Sequence, residues 1–306
     1  MDKYGIFHSH CYYIGVDVGK SKISSGVVDI DDIKVVETVF DELPTRNVNT
    51  ILNIMENQLR HLTRNYRISG IGIACFGTID SNHKMVIDSK VVKGWKSLNI
   101  ADYFSSIFNV KDVYVFNDVT AACYGEFCKS NVKNLCFLSV GSSIGQASII
   151  EGKMLFGSHN ISGQIAHMPC FGPFDEVGTI SQICGGDGIS FQYRKLTTES
   201  LNTRDIINRW YGQNDEISDN VCNNAIRWLA YLSTFLFLSF DPDEIVLGGG
   251  VMSNKYFYQQ VEKDFYRIMK KSIFSDDKLF VMRRSSMIYT NAIIGGALLC
   301  KKMSKS

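Results

Sequence analysis

The sequence predicts an α/β protein built from two similar halves. Three observations carry this. Apolar runs of strand length alternate with longer stripes at helical spacing. The order strand, Gly/Ser-rich turn, strand occurs at residues 12–30 and again at 135–150. The chain has 306 residues, enough for two hydrophobic cores.

Taken in order, residues 1–11 read as a tail. His8, His10 and Cys11 have metal-ligand chemistry but lack a further partner nearby. Residues 12–18 alternate as a strand, Gly19, Lys20 and Ser21 form a tight turn, and 23–30 resume strand character, with a third strand at 33–39. The turn holds Asp17, Gly19, Lys20, Ser21 and Lys22. Two readings stand: an anion cradle with Asp17 holding a hydrated Mg²⁺, or an ordinary hairpin turn. The G-x-x-x-x-G-K-[ST] phosphate loop is absent. Residues 48–66 carry a helical stripe of Val48, Ile51, Ile54, Met55, Leu59 and Leu62. A buried strand follows at 68–75, closed by Gly77 and Asp80, and a short helix at 100–108.

Residues 113–126, VYVFNDVTAACYGE, form the stretch around which the chain is organised. A strand breaks at Asn117-Asp118 and continues as a helix of small residues. An Asp there sits where open α/β sheets bind ligands, and it also suits a helix N-cap. The second half repeats the pattern: a strand at 135–140, the turn GSSIGQ at 141–146, and a strand at 147–150. Residues 156–166 are irregular, 221–240 a long apolar helix stopped by Asp241-Pro242, and 244–247 a strand. That strand runs into Gly248, Gly249 and Gly250, where a flat ring can lie against bare backbone. A closing helix at 292–299 carries Gly295 and Gly296 for tight packing.

Composition bounds the function. With 45% hydrophobic and 21% charged residues and a net charge of +1, the chain shows no footprint for nucleic acid or a membrane surface. The longest apolar segment, 228–240, is too short to span a bilayer and reads as a buried helix. The N-terminus lacks an apolar core of signal-peptide length. The 9 Cys contain no C-x-x-C pair and read as reduced, mostly buried thiols of a cytoplasmic protein.

Seven stretches in one order resemble the ROK family of sugar kinases and repressors, within the actin, sugar-kinase and heat-shock ATPase superfamily. They are GVDVGKSKISSGVVDI, GIGIACFGTID, VKGW, VFNDVTAACYGE, SVGSSIGQASIIEGKMLFG, EIVLGGGV and NAIIGGALL, spanning about residues 12–299. The resemblance implies two ribonuclease-H-like (actin-like ATPase) domains flanking a cleft, at 1–120 and 121–306, with the last helix packing back on the first. It implies an ATP-dependent kinase that phosphorylates a hydroxyl of a hexose or amino sugar, with Asp118 as general base. Gly77, Asn117, Asp118, Gln164 and His167 would bind the sugar. Gly19, Lys20, Ser21 and Lys22 would hold the ATP phosphates with Gly141, Ser142, Ser143 and Gly145. Asp17 would sit near Mg²⁺, and Gly248, Gly249 and Gly250 would accept the adenosine. Family members are often homodimers. No winged helix precedes Tyr12, which points to the kinase branch.

The chain also departs from the family pattern. The family's Glu-x-Gly-His is Gln164-Ile165-Ala166-His167 here, which removes a charge and keeps hydrogen-bonding capacity. The Cys-rich zinc loop is replaced by MPCFGPFDEVGTISQICGG, in which Cys170 and Cys184 lack ligand spacing and Ser181 stands near the place of a second sugar-binding Glu. No structural zinc is expected, and His167 is left either to contact sugar or to pack as a structural imidazole. A sugar other than glucose is expected. Ser142 and Ser143 replace the usual Thr-Gly of the second phosphate loop, and Lys20 replaces a Gly in the first. A second function class fits these changes: a non-catalytic sugar or nucleotide sensor of the same fold. A dinucleotide oxidoreductase does not, since the glycines at 185–188 open no strand–turn–helix unit.

Overall fold

The computed structural model describes residues 11–88, 92, 94–159, 161–173, 175–212, 215–271 and 281–305. His8 and His10 of the tail, and Lys93 of the VKGW stretch, lie outside the described residues. The chain divides into two compact units, Met1–Ser130 with Thr290–Ser306, and Asn131–Tyr289.

In chain order the first unit comprises β1 (Tyr12–Val18), β2 (Lys22–Asp29), β3 (Lys34–Glu42), α1 (Val48–Leu62), β4 (Ile68–Cys75), β5 (Thr78–Ile79), β6 (Met85–Asp88), β7 (Leu98–Asn99), α2 (Ile100–Phe108), β8 (Asp112–Asn117) and α3 (Asp118–Cys128). The second comprises β9 (Leu135–Val140), β10 (Ile144–Ile150), β11 (Lys153–Met154), β12 (Pro169–Phe171), β13 (Val177–Thr179), α4 (Ile180–Cys184), α5 (Gly186–Leu196), α6 (Thr203–Gly212), α7 (Glu216–Phe240), β14 (Glu244–Gly248), α8 (Lys255–Lys270) and β15 (Met282–Arg284). The last helix, α9 (Asn291–Met303), belongs to the first unit.

Both units carry the same sheet. The first is ordered β3-β2-β1-β4-β8 and the second β11-β10-β9-β14-β15. In each, three antiparallel strands from a meander are extended by two strands parallel to the first. The repeated strand–turn–strand pattern in the sequence is the start of each meander. One apolar core serves each unit: Ile14, Val16, Ile71, Ile73 and Val115 with the inner face of α1 in the first, and β9, β14 and α7 in the second.

Element ends differ from the sequence reading for local reasons. Helix α1 stops at Leu62, not near residue 66, with Thr63 as its C-cap, the Thr63 amide donating to the Leu59 carbonyl at 2.9 Å. Helix α7 begins five residues earlier than the apolar pattern, at Glu216, because Asp215 caps it through the amides of Ile217 and Ser218. A polar first turn is invisible to hydrophobic periodicity. The second glycine turn is shorter than read. Ile144, Gly145 and Gln146 already pair with β9, so only residues 141–143 turn, and Gly145 lies in the strand opposite Ser139. The stretch read as a buried helix is buried on one side only: Tyr231, Phe235 and Leu238 are 46%, 55% and 53% exposed along one stripe of α7. Among the described residues no helix is long and apolar enough to cross a membrane.

Helix α9 packs directly on β1, β4 and α3. The contact is backbone to backbone. A Cβ on Gly15 would overlap the Ile293 carbonyl, one on Gly72 the Gly296 carbonyl, and one on Gly295 the Ala121 carbonyl.

Candidate functional site

In the first unit the chemistry collects where β1, β4 and β8 end side by side. The parallel register sets Val18 beside Cys75 and Cys75 beside Asn117. Asn117 is the N-cap of α3. Its Oδ1 accepts from the Val119 amide at 3.0 Å and the Thr120 amide at 3.2 Å. Asp118 is therefore not the N-cap: it is the first residue of the helix, and its carboxyl accepts from the amides of Val119 and of Asp118 itself.

Asp17 and Asp118 share an environment. Burial pushes the Asp17 carboxyl up to about 7, with a further contribution from the Asp118 charge, while Lys22 opposes the shift. Burial also raises Asp118, against the amides of Val119 and of Asp118 itself and the charge of Lys20. The Cys75 thiol is raised by burial and then by Asp118 and Asp17. Two carboxylates disfavoured as anions at the end of a sheet suit a divalent cation, whose charge restores their ionised forms.

The turn after β1 is fixed from its carbonyl side. The Gly19 amide donates to the Lys22 carbonyl at 3.0 Å, Arg46 Nε to the Lys20 carbonyl at 3.2 Å, and the Leu43 amide to the Ser21 carbonyl at 2.8 Å. Gly77, which follows β4, adopts φ +117°.

The second unit builds its turn in the same manner. The Gly141 amide donates to the Ser143 carbonyl at 3.0 Å, the Gly186 amide to the Gly141 carbonyl at 2.8 Å, and the Asp187 amide to the Ser142 carbonyl at 3.0 Å. Three successive carbonyls are again engaged. Ser143 Oγ lies 2.6 Å from Ser181 Oγ, so the turn is also tied through side chains to α4. A Cβ on Gly185 would come within 2.6 Å of the Ser181 carbonyl and 2.9 Å of the Ser142 carbonyl. Gly185 and Gly186 thus serve close backbone approach to this turn, and Gly188 close approach to the Gln182 carbonyl of α4, roles that no motif announced.

After β14, Gly249 has φ +91°, and a Cβ there would meet the Val140 carbonyl at 2.5 Å. Gly250 has open space where a side chain would be. It borders a hollow with Thr203, Arg204, Ile207, Val251, Ser253 and Asn254. Thr203, Arg204 and Ile207 come from α6, which the sequence reading passed over. The apolar residues Ile206, Ile207 and Trp210 at helical spacing were the available signal for this helix.

Gln164 and His167 are exposed, on and beside the 3₁₀ turn Ile165–His167. A Cβ on Gly163 would strike the Gln146 carbonyl, which holds this segment against β10. The segment in place of the zinc loop folds into the β12–β13 hairpin and α4, with a Thr179–Gln182 capping box. Among the described residues no three His, Cys, Asp or Glu side chains gather as a metal site.

Three comparisons bear on this arrangement. The model of the ROK family matches residues 13–303. A fructokinase from Lactococcus lactis subsp. cremoris is 26% identical over 271 residues, covering 86% of this chain and 87% of that protein. A xylose repressor from Bacillus spizizenii is 27% identical over 260 residues, covering 79% of this chain and 65% of the repressor. The crystal structure of a ROK family glucokinase from Streptomyces griseus, in complex with glucose and AMPPNP, superposes with a TM-score of 0.81 at 19% identity, covering 95% of this chain and 99% of that one.

Proposed function

Since the chain belongs to the ROK family and has the actin-like ATPase fold of its solved kinases, we propose that it is an ATP-dependent sugar kinase acting on a hexose or amino sugar. The observation that carries the reading is the convergence of Asp17 and Asp118 at the strand ends beside a glycine turn with its carbonyls engaged. Asp118 takes the proton from the attacking sugar hydroxyl, which requires an approach of about 3 Å. The side-chain oxygen of Asn117 is committed to the cap, so Asn117 offers its amide N–H groups to the sugar. Gly77, Gln164 and His167 complete the sugar contacts. Gly19, Lys20, Ser21 and Lys22, with Gly141, Ser142, Ser143 and Gly145, hold the phosphates. Gly248, Gly249 and Gly250 receive the adenosine, with Arg204 and Ile207 at the same hollow. Asp17 holds Mg²⁺, which when bound neutralises phosphate charge. Catalysis of this kind is positioning and charge neutralisation.

A coupled ADP-release assay with Mg-ATP across hexoses and N-acetylhexosamines tests the proposal. Turnover is expected on a sugar other than glucose, because Gln164 and Ser181 stand where the family has carboxylates. Glucose as the best substrate refutes that part. Nucleotide binding by calorimetry with silence across the panel favours the second reading, a sensor. That reading draws on the same substitutions and on the repressor among the relatives.

The raised Asp17 carboxyl gives a further expected result. A carboxyl whose folded pKa lies above its unfolded value favours the folded state below the unfolded pKa, and loses that contribution as pH rises to the folded pKa. Asp17 moves from 3.8 to about 7. The Asp17→Asn protein is therefore more stable than wild type by about 2 kcal/mol above pH 7, after allowing for partial solvent access. The gain shrinks towards pH 4. Thermal melts across this range read the difference. A gain that does not vary with pH assigns it elsewhere. The same variant loses Mg²⁺-dependent turnover.

We also propose that the protein works in the cytoplasm as a homodimer, for which the exposed stripe of Tyr231, Phe235 and Leu238 is suited. Phe235→Asp is expected to halve the mass measured by light scattering. An unchanged mass places any dimer contact off this stripe.

A further inference from the structure

The β12–β13 hairpin and α4 bring together two cysteines that the proposed reaction does not use. Cys170 is the middle residue of β12, paired with Gly178 of β13, and Cys184 is the last residue of α4. The Ile180 amide donates to the Met168 carbonyl at 2.8 Å, which ties the start of the helix to the start of the strand. Both cysteines are free and buried, at 2% and 0% exposure, in one core cluster. Their side chains hydrogen-bond to one another.

We infer that Cys170 and Cys184 are an oxidisable dithiol, closed to a disulfide by peroxide, whose state sets the grip on the second phosphate turn. In the first step the Cys170 sulfur attacks one peroxide oxygen. The O–O bond breaks, a sulfenic acid forms on Cys170, and hydroxide leaves as water with the thiol proton. In the second step the Cys184 sulfur attacks the sulfenic sulfur. The S–S bond forms, the S–O bond breaks, and a second water leaves with the Cys184 proton. Two thiols lose two electrons and two protons, and one peroxide becomes two waters.

Position and chemistry support this order. The Cys184 thiol, hydrogen-bonding to the Cys170 sulfur, lowers the pKa of Cys170 and favours its thiolate, while burial pushes Cys184 well up. Cys170 lies on the outer hairpin and Cys184 at the buried end of α4, so Cys170 is the sulfur that peroxide reaches first. Its neighbours Pro169 and Phe171 and the opposing Val177 are exposed. A hairpin of two three-residue strands is marginal on its own and opens locally, which admits a molecule as small as peroxide.

The consequence follows from what comes after Cys184. Gly185 packs against the Ser142 carbonyl, and the Gly186 and Asp187 amides hold the carbonyls of Gly141 and Ser142. Closing two sulfurs from hydrogen-bond contact to a bond of about 2 Å draws the end of α4 towards β12. The amides that anchor the turn move with it. Losing one hydrogen bond from this turn to a charged phosphate costs roughly tenfold in affinity. This part rests on the kinase reading; the cross-link itself does not.

The test treats the full chain with hydrogen peroxide, blocks the remaining thiols with N-ethylmaleimide, and reads peptides by mass. The expected product joins the Cys170 and Cys184 peptides, is two hydrogens lighter than the reduced pair, and reverts with dithiothreitol. Calorimetry with Mg-ADP is expected to give affinity roughly tenfold weaker after oxidation. Cys170→Ser and Cys184→Ala are expected to keep the affinity of the reduced protein and not to respond to peroxide. Both thiols found alkylated after peroxide has oxidised the partly exposed Cys11 overturns the dithiol. A cross-link that leaves Mg-ADP affinity unchanged overturns its coupling to the turn. Absence of sugar turnover removes the kinase reading and leaves both of these measurements in place.

Discussion

Asp118→Asn is expected to lower kcat for sugar phosphorylation by about 10³-fold, within the range of general-base contributions, with little change in the KM for ATP. Asn keeps the size of the side chain and removes the group that accepts the proton. Asp118 is not needed for the cap, which Asn117 supplies through its own oxygen. Burial disfavours the charge of Asp118. Its replacement by a neutral isostere is therefore expected to leave the melting temperature at neutral pH equal or higher. Loss of turnover with retained or raised stability separates a chemical role from a structural one. A variant that keeps normal turnover removes Asp118 as base, and one that melts early makes it a packing residue.

The wild-type pH profile follows from the same group. Its carboxyl must be ionised to accept a proton, and its pKa lies above the ordinary carboxylate range. Activity is thus expected to fall on the acid side at a higher pH than an ordinary Asp would give. Because Asp17 and Asp118 interact, the acid limb belongs to the pair and not to either residue.

Gly295→Ala is expected to give the largest loss of stability in the first unit, about 3 kcal/mol, read as a lower denaturant midpoint. Alanine is the better helix former, so propensity alone predicts a gain. Packing reverses the sign. The new methyl group would overlap the Ala121 carbonyl of α3, a backbone atom that cannot move without moving the helix. Because α3 starts at Asp118, the displacement also reaches the proposed base, and activity is expected to fall with stability. Gly212→Ala is the control. It sits at the end of α6, where among the described residues no atom beyond its chain neighbours and its own helix backbone lies within 4 Å of the new Cβ, and is expected to change stability little. Equal effects of the two substitutions would mean that α9 tolerates a wider spacing from α3.

Much of this was legible in the sequence. Period-two and period-3.6 patterns located β1, β4, β8, β9, β14 and α2 to within a residue or two, since those periods are properties of neighbouring positions, and found the start of α9 but ended it four residues short of Met303. The repeated strand–turn–strand marked the two like sheets, and the ordered motifs named the family. The short strands β5, β6 and β7 and helices α4, α5, α6 and α8 went unread, the strands because two to four residues carry too little pattern.

Only the tertiary structure decided what depends on distant pairings. Asp17 and Asp118 are about a hundred positions apart and meet because β1 and β8 flank β4 in parallel register. The Gly141 and Ser142 carbonyls are held by amides some 45 residues later, because α5 begins against that turn. The exposed stripe of α7 is as apolar as its buried side, so composition could not tell them apart. Hydrophobic spacing records which face of a strand or helix turns inward. It carries no record of which other element lies there, and that is what assembles the site.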